Sequence, residues 1–547
     1  MDSEEKMNDQ TAVDTDNFWT KIEAALGGRE KSLAWLLVLI CLFYIPVKIT
    51  SYGWMPQDDA LRHAAHGVNE KTWGEVILVR PEFDVDHNPG WHSILRFLHR
   101  SFDLNQDDLL LLSIIGLYLL FNITGAILSP RPLAWVAALA VLAVSDLAAT
   151  YRVIIGRPYL VSCSVALILL ALWTRQKLDL KSWRPWVASI AVLTLAVWIH
   201  GSWYLFLLMP LAFFLAGQGR RAGALVVCLV AATLLGALMS GHPLDFLRFH
   251  VQAPLEIFSE MRVNRQLVSE FQPGNTVVVL VLFCAVIAIL LQRKGRFKLA
   301  DLATDPVFML AVTGWLLGIM VNRFWGEWGR VAITFWLALR ISDLIDMSAS
   351  LRLPRVRYCL ALFVCVALVF LSTHDERGRY SERVMDEAIH FNDPRLADWV
   401  PRPDSLIYSN TMLVFYMHYF AYPHATWKYV VGFESSLMPE DDLQVLRNLH
   451  YNYSYGKEFA PWVKKMRPQD RLITRSLIPG VDGIEWIQAS RNFYIGKLKP
   501  SLANASAPTT LSAPPAVNAS ESLALPESEQ KLEQEGQCSH EGPCTHD

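Results

Sequence analysis

The sequence carries little charge and few features of a soluble protein. Only 18% of its 547 residues are charged, and the formal net charge of −3 gives no reason to expect a nucleic-acid partner. Most of the eight cysteines lie in apolar runs, where we interpret them as small buried hydrophobic residues. These are Cys41, Cys163, Cys228, Cys284, Cys359 and Cys365. Cys538 and Cys544 alternate with histidines near the end of the chain, which would suit a disulfide or weak metal binding but is not a catalytic signal.

The sequence is instead rich in apolar residues. Its hydrophobic content is 52%, it has 19 tryptophans, and its mean hydropathy is +0.25. These values indicate a multi-pass membrane protein with about 11 transmembrane spans. The predicted spans are 33–49, 109–128, 133–148, 159–173, 186–199, 203–216, 222–239, 276–291, 307–321, 331–345 and 358–371.

The distribution of basic residues predicts the orientation. With the N-terminus in the cytoplasm, every inside loop contains Lys or Arg, as the positive-inside rule requires. An odd number of spans then places everything after Leu371 outside. The first apolar run lacks a small-residue cleavage site, so we expect a retained anchor. The general character of the sequence favours a protein of a bacterial inner membrane, with its active site on the periplasmic side.

The chain divides into four predicted regions. Residues 1–32 form a cytoplasmic tail, and 33–372 a transmembrane module whose first outer loop, 50–108, contains two amphipathic surface helices at 61–68 and 91–102. Residues 373–499 have strand-like stretches such as "SLIYSN" and "RNFYIGKL", which predict a small α/β domain outside the membrane. Residues 500–547 are rich in Ser, Ala, Pro and Glu and should be disordered. The predicted fold class is therefore mainly α, a polytopic helical bundle with a small α/β C-terminal domain.

A cluster of ionisable residues follows the first span. The stretch "PQDDALRHAAHG" contains Asp58, Asp59, Arg62 and His63. An acidic pair can be a solvated face, a metal site or a general base. Ionisable residues close to the bilayer favour a functional site.

This region resembles the GT-C glycosyltransferases, in particular the lipid A aminoarabinose transferases and protein O-mannosyltransferases. Those families have an Asp-Glu pair followed by Arg-Tyr-Ala, and later a Lys- or His-Pro-Pro-Leu stretch with a downstream Trp-Leu. This chain has "DDALRHAA" from Asp58 and, about 30 residues later, "HNPGWHSIL" from His87. It differs in the second acid, Asp59, in His63 at the aromatic position, and in Asn-Pro-Gly after His87.

The resemblance implies a glycosyltransferase that moves a sugar from a polyprenyl-phosphate donor to an extracytoplasmic acceptor, with inversion. Asp58, with Asp59 beside it, would be catalytic and accept the acceptor's proton. Positive groups would stabilise the lipid-phosphate leaving group. The predicted substrate-binding residues are Arg62, His63, His87, His92, Arg152, Arg157, Arg262, Arg265, Arg323 and Arg330. For the arginines, anchoring at the membrane interface or pairing with Glu256, Glu260 or Glu327 is the alternative. No metal ligand is assigned, but a divalent metal on Asp58 and Asp59 remains open.

Two other functions are compatible with the sequence. A transporter or flippase of a polar lipid or glycan would also use charges within the membrane, but it would favour internal repeats, and no convincing repeat is present. A non-catalytic membrane scaffold would leave the Asp58 and His87 motifs without a role.

Overall fold

The structure is a computed structural model. It describes residues 30–146, 148–175, 178–259, 278–295, 298–348, 354–375, 378–380, 388–452, 456–478 and 480–500. The predicted disordered tail, including Cys538 and Cys544, lies outside these residues. The described residues up to 500 belong to one compact unit, Met1–Ala503.

Helices dominate the described part of the chain. In the first half they are α1 (Glu30–Thr50), α2 (Asp59–Gly67), α3 (Trp73–Val76), α4 (Pro89–Phe102), α5 (Gln106–Leu128), α6 (Pro132–Ser145), α7 (Ala148–Ile154), α8 (Tyr159–Trp173), α9 (Arg184–His200), α10 (Leu208–Leu215), α11 (Gly219–Met239) and α12 (Pro243–Ser259). In the second half they are α13 (Val278–Arg293), α14 (Pro306–Gly318), α15 (Asn322–Phe324), α16 (Arg330–Met347), α17 (Pro354–Thr373), α18 (Met412–Ala421), α19 (Glu440–Tyr451) and α20 (Ala460–Lys465). Short 3-10 turns lie at Pro81–Phe83, Trp203–Leu207, Leu299–Thr304, Pro394–Trp399, Ser435–Leu437 and Gly456–Phe459.

Each predicted apolar run lies mostly in helical structure, although the run 133–148 is interrupted at Asp146 and the run 203–216 begins with a 3-10 turn. Within the described ranges, four helical stretches are long and apolar enough to cross a bilayer: Ser32–Thr50, Gln106–Leu128, Gly219–Met239 and Val356–Thr373. Several other apolar helices are shorter, among them Pro132–Ser145 and Tyr159–Trp173. The helical content and these four helices support a membrane protein. The count of about 11 spans and the orientation stay predictions.

The two amphipathic helices of the first loop are present as α2 and α4. Asp58 caps α2, and Pro89 occupies the first turn of α4, where its missing N–H costs nothing. Asp103, with φ of 53°, ends α4 in the left-handed conformation. Leu95 of α4 is fully buried, which confirms the predicted apolar face.

The C-terminal segment contains a five-stranded sheet. Its strands are β1 (Leu406–Ser409), β2 (Lys428–Tyr429), β3 (Arg471–Thr474), β4 (Ile484–Gln488) and β5 (Tyr494–Leu498), in the order β2-β1-β3-β5-β4. β1 pairs in parallel with β2 and β3, whereas β5 pairs antiparallel with β3 and β4. Two of these strands confirm the strand predictions for "SLIYSN" and "RNFYIGKL". Whether residues 373–499 form a separate domain stays a prediction.

The first loop contacts this sheet directly. Ile77 forms a parallel bridge with Tyr429 of β2, and the N–H of Leu78 donates to the carbonyl of Tyr429 at 2.8 Å. In addition, α18 packs against α2. The helix that carries the acidic pair is therefore held between the membrane helices and the C-terminal segment.

Gly201 ends α9 at a position where no side chain fits. Its φ is +73°, which glycine adopts without strain. A Cβ there would lie 2.1 Å from Nε2 of His250 and 2.7 Å from the carbonyl oxygen of His87. In the sequence, the apolar runs 186–199 and 203–216 on either side of His200-Gly201 could be two short helices or one broken helix. In the structure α9 ends at His200, and a 3-10 turn over Trp203–Leu207 leads into α10.

We expect Gly314→Ala to destabilise the fold. A Cβ on Gly314 of α14 would lie 2.6 Å from the backbone N and Cα of Gly329, which ends the π-helical turn Trp325–Gly329. Overpacking of this kind costs about 1–3 kcal/mol. Thermal unfolding in detergent should show a lower midpoint for this variant.

Gly223→Ala is the matched control. Gly223 lies in α11 with open space around its Cβ position, so alanine should be neutral or stabilise by up to about 1 kcal/mol through helix propensity. Equal midpoints for the two variants would contradict the close approach of Gly314 and Gly329.

Candidate active site

The acidic pair lies at the N-terminus of α2. Asp58 is the N-cap residue, and its Oδ1 accepts a hydrogen bond from the N–H of Ala60 at 3.3 Å. Asp59 is the first residue of the helix. Carboxylates are favoured at this end because the helix leaves N–H groups unpaired there and its dipole is positive. The local sequence thus places two carboxylates side by side with little strain.

Arginines hold both carboxylates. Nη2 of Arg157 lies 3.1 Å from Oδ2 of Asp58, and its Nε lies 3.6 Å from Oδ2 of Asp59. Asp59 also pairs with Arg62, whose Nε lies 2.8 Å from Oδ1. Asp59 thus contacts both Arg157 and Arg62, and Asp58 contacts Arg157. Arg157 also supplies the positive charge between the carboxylates that a divalent ion would otherwise supply, so the pair fits a metal poorly in this arrangement.

The C-terminal segment completes this cluster. The Tyr416 hydroxyl of α18 donates to Oδ1 of Asp59 at 3.0 Å. The Arg62 guanidinium lies over the ring of Phe433, 4.0 Å from the ring centroid, which is a cation–π contact. In the sequence, Tyr416 stands in the aromatic stretch "VFYMHYFAYPHATWKYV", which suits the buried core of a small domain. Its role at the site could not be seen because more than 350 residues separate it from Asp59.

His87 is buried beside the same aromatic group. Its ring stacks on Phe249 with 3.7 Å between centroids and meets Phe433 edge to face at 5.3 Å. Burial, with His250 and Arg62 nearby, lowers the pKa of His87 well below its ordinary value, so the ring is neutral. Among the described residues, neither Nε2 of His87 nor Nη1 of Arg62 has a hydrogen-bond partner. A buried polar group without a partner is costly, and both atoms are available to a ligand.

A second charge cluster surrounds Glu327. This residue sits in the π-helical turn Trp325–Gly329, a rare local geometry that is frequent at functional sites. Its Oε1 lies 2.9 Å from Nε of Arg323 and 3.5 Å from Nη2 of Arg152. Two guanidinium groups thus share one carboxylate whose side chain is only 4% exposed.

Arg330 forms a third pair just after this turn. Its Nη2 lies 2.5 Å from Oδ2 of Asp146, while its Nε and Nη1 are buried without a hydrogen-bond partner among the described residues. Asp146 ends α6 at the short break before α7. The break in the helix therefore brings a carboxylate to the arginine.

His200 lies between the two larger clusters. It is within electrostatic range of Arg323 on one side and of Asp59 and Arg157 on the other, and its Nδ1 lies 3.1 Å from the Ser162 hydroxyl. A small cavity of about 10 Å³ adjoins it, with Glu327 and Ser162 in its lining. The clusters thus form one continuous polar region.

The predicted site residues divide as follows. The structure brings together Asp58, Asp59, Arg62, Arg157 and His87, and places Arg152, Arg323 and Arg330 in the neighbouring clusters. His63 and His92 bond to each other beneath the acidic pair. Arg262 and Arg265 lie outside the described residues. Tyr416, Phe433, His66 and Asp86 were missed, and their roles remain predictions like those of the others.

We expect Tyr416→Phe to lower activity about 10- to 100-fold, because a hydrogen bond to a charged group contributes about 1.5–3 kcal/mol. The loss should appear in the turnover rate of sugar transfer. Tyr422→Phe is the matched control, because the Tyr422 hydroxyl donates to the carbonyl of Ile389 away from the acids. Equal losses in the two variants would indicate general destabilisation instead.

Comparison with known proteins yields matches among solved structures. No family model matches the sequence, and no curated protein matches it. The chain is similar to the archaeal oligosaccharyltransferase AglB from Archaeoglobus fulgidus in complex with an inhibitory peptide and a dolichol-phosphate (11% identity, TM-score 0.49, 82% of this chain and 70% of that chain). It is also similar to ArnT from Cupriavidus metallidurans bound to undecaprenyl phosphate (13% identity, TM-score 0.49, 86% and 98%) and to the same protein in the apo state (13%, 0.47, 87% and 99%).

Proposed function

We propose that this protein transfers a sugar from a polyprenyl-phosphate carrier to an acceptor on the outer side of the membrane, with inversion at the anomeric carbon. The observation that carries the proposal is the acidic pair at the N-terminus of α2, bridged by Arg157 and adjoining further buried cationic groups. A base that faces positive groups is the arrangement such a reaction needs. The base removes the acceptor's proton, and the cations receive the leaving phosphate.

Asp58 is the base in this proposal. It stands at the position of the first acid of the motif that the sequence resembles, and in the structure it caps α2 beside Arg157. The proton that leaves the acceptor hydroxyl or amine passes to Asp58 as the new bond to the sugar forms. The bond from the sugar to the phosphate oxygen breaks at the same time, and its electron pair stays on the phosphate.

The phosphate of the donor fits the positive groups around the acids. Arg62 and His87 each have a buried nitrogen with no hydrogen-bond partner among the described residues, and Arg152 and Arg323 both contact Glu327 close by. An anionic oxygen would satisfy these nitrogens and balance the charge. Preorganised donors of this kind stabilise charge as it develops on the leaving group.

The lipid part of the donor has a place beside these arginines. A cavity of about 40 Å³ lies between α5, α8 and α16, with Arg152 and Arg330 in its lining and apolar side chains such as Leu139 and Leu160 around them. Its lining combines a charged edge with an apolar wall, as an amphipathic lipid phosphate requires. The cavity is small, so we propose that substrate entry requires the packed C-terminal segment or neighbouring helices to move.

The test is a comparison of lipid-linked sugars and glycans by mass spectrometry. A deletion strain would be restored with either the wild-type protein or an equally expressed Asp58→Asn variant. The proposal expects the wild type to restore a sugar and the variant to leave its lipid carrier accumulated. If the wild-type protein and the Asp58→Asn variant restore the sugar equally, Asp58 is not the base, and a transporter or a scaffold explains the phenotype better.

A further inference from the structure

His63, His92 and Asp86 form a chain of hydrogen bonds that the reaction above does not use. Nδ1 of His63 lies 2.8 Å from Nε2 of His92. Nδ1 of His92 lies 2.7 and 2.8 Å from the two carboxylate oxygens of Asp86. His63 is 2% exposed and His92 is fully buried, whereas the Asp86 side chain is 25% exposed. The chain therefore runs from the helix of the acidic pair to a carboxylate that reaches the surface.

Asp86 determines how the protons are arranged along this chain. A carboxylate only accepts, so Nδ1 of His92 carries the proton and, in the neutral ring, Nε2 does not. His92 then accepts a hydrogen bond from Nδ1 of His63. In turn Nε2 of His63 is left without its proton. No described residue hydrogen-bonds to this atom, so it is an acceptor one helical turn after Asp59.

The same chain joins the two motif segments. His63 lies on α2 with Asp58 and Asp59, and His92 lies on α4, five residues after His87 and four after the Asn88 cap. A change in the chain would shift the acids relative to His87. His66 packs beside it, since its ring centroid is 4.4 Å from that of His92 and 4.3 Å from that of Trp73.

A bound metal is the competing explanation for this cluster. His66, Asp86 and His92 each offer one ligand atom, and these atoms lie within 4.8 Å of one another. However, the contacts of 2.7–2.8 Å along the chain are hydrogen-bond lengths, whereas ligands around a tetrahedral ion with bonds of about 2.0–2.1 Å lie farther apart. Nη2 of Arg96 also lies 2.8 Å from Nε2 of His66, and this positive charge opposes a cation. A hydrogen-bonded chain fits the geometry better.

We propose that Asp86 and His92 are positioning residues that fix the tautomer of His63, so that its Nε2 accepts a hydrogen bond from an N–H or O–H of the acceptor substrate next to the group that Asp58 deprotonates. The inference rests on the sugar transfer proposed above. The proposal gives different roles to the two histidines that the sequence predicts as substrate-binding. His63 contacts the substrate, and His92 acts through His63. Asp86 acts through both.

The chain works with neutral rings. Burial, and then the positive charges of Arg62 and Arg157, lower the pKa of His63 well below its ordinary value. For His92, burial and the charges of Arg62 and Arg96 lower the pKa, while Asp86 opposes this change. Burial would raise the pKa of Asp86, but the hydrogen bonds that it accepts from His92 and from the backbone N–H of Asn88 help to lower it overall, so the carboxylate is charged. In acid, a proton added to the chain gives Nε2 of His63 a hydrogen and removes the acceptor.

Asp86→Asn tests the tautomer. Asparagine can donate to Nδ1 of His92 and so permit the opposite tautomer, as in other carboxylate–histidine pairs. The proposal expects kcat to fall about 10- to 100-fold with the KM for the lipid donor unchanged. The acid limb of the kcat profile should also move to lower pH, because the carboxylate that raises the pKa of His92 is gone. Glu82→Gln is the control, because Glu82 is exposed and lies in the same segment as Asp86. It should leave kcat and the pH profile of kcat unchanged.

Non-additivity provides the second readout. Asp86 and His63 are joined through His92, so His63→Gln combined with Asp86→Asn should cost no more than the worse single variant. Additive losses would overturn the chain. Zinc or another transition metal bound stoichiometrically to the purified wild-type protein, and lost in His92→Gln, would overturn it in favour of a metal site. If the wild-type protein transfers no sugar, the proposed function is wrong. If the wild type is active but the variants do not show the losses expected above, only the proposal of the hydrogen-bonded chain is wrong.

Discussion

Asp58→Asn should reduce sugar transfer by about 10²- to 10⁴-fold, the range that general acid–base catalysis contributes. The amide has no proton-accepting carboxylate oxygen, so the acceptor cannot be activated. Because asparagine is as good an N-cap as aspartate, α2 should still form. Single-turnover transfer from a lipid-phosphate-linked sugar, measured with purified protein in detergent, gives the rate directly.

The Asp58 variant should still bind the donor. The groups that we propose for the phosphate, such as the Arg62 guanidinium and the neutral His87 ring, are unchanged, so the donor KM should stay within a few-fold of wild type. Glu70→Gln is a suitable control because Glu70 is an exposed acid that pairs only with Arg100 among the described residues. Full activity of Asp58→Asn would move the base elsewhere, with Asp59 as the next candidate.

Much of the helical architecture can be predicted from the sequence because hydrophobicity is a local property. Each apolar run predicts a helix, and both amphipathic stretches of the first loop are helical. Cap residues such as Asp58 and Pro89 mark helix starts with small errors. The length of each helix cannot be predicted from hydrophobicity in the same way. The run 133–148 is interrupted at Asp146, where α6 ends and α7 begins two residues later.

The candidate site is only partly visible in the sequence. The pair Asp58-Asp59 is contiguous, and His87 follows in the same loop, so a motif can reveal them. Arg157 comes from a different helix, and its contact with both acids depends on how the helices pack. Tyr416 is more distant still, because the C-terminal segment must fold onto α2 before its hydroxyl meets Asp59. Sequence patterns identify such residues as candidates but cannot choose their partners.

Arg157→Ala should lower transfer by about 10²- to 10³-fold, the range found when one group that stabilises developing charge is removed. Arg157 is the residue that touches both carboxylates, so its loss leaves two negative charges side by side. Like charges favour protonation of one of them. The acid limb of the pH–rate profile should therefore move to higher pH.

Arg157→Lys separates charge from geometry. Lysine keeps the positive charge but lacks the fork that reaches Asp58 with one nitrogen and Asp59 with another. We expect it to recover part of the lost rate, with an acid limb close to that of wild type. Arg100→Ala, which breaks only an exposed pair with Glu70, should have no effect. If Arg157→Lys were as inactive as Arg157→Ala but with the wild-type pH profile, Arg157 would act through the shape of its contacts alone. A fully active Arg157→Ala would show that the acids do not depend on a bridging cation, and it would restore the divalent metal as the group that balances their charge.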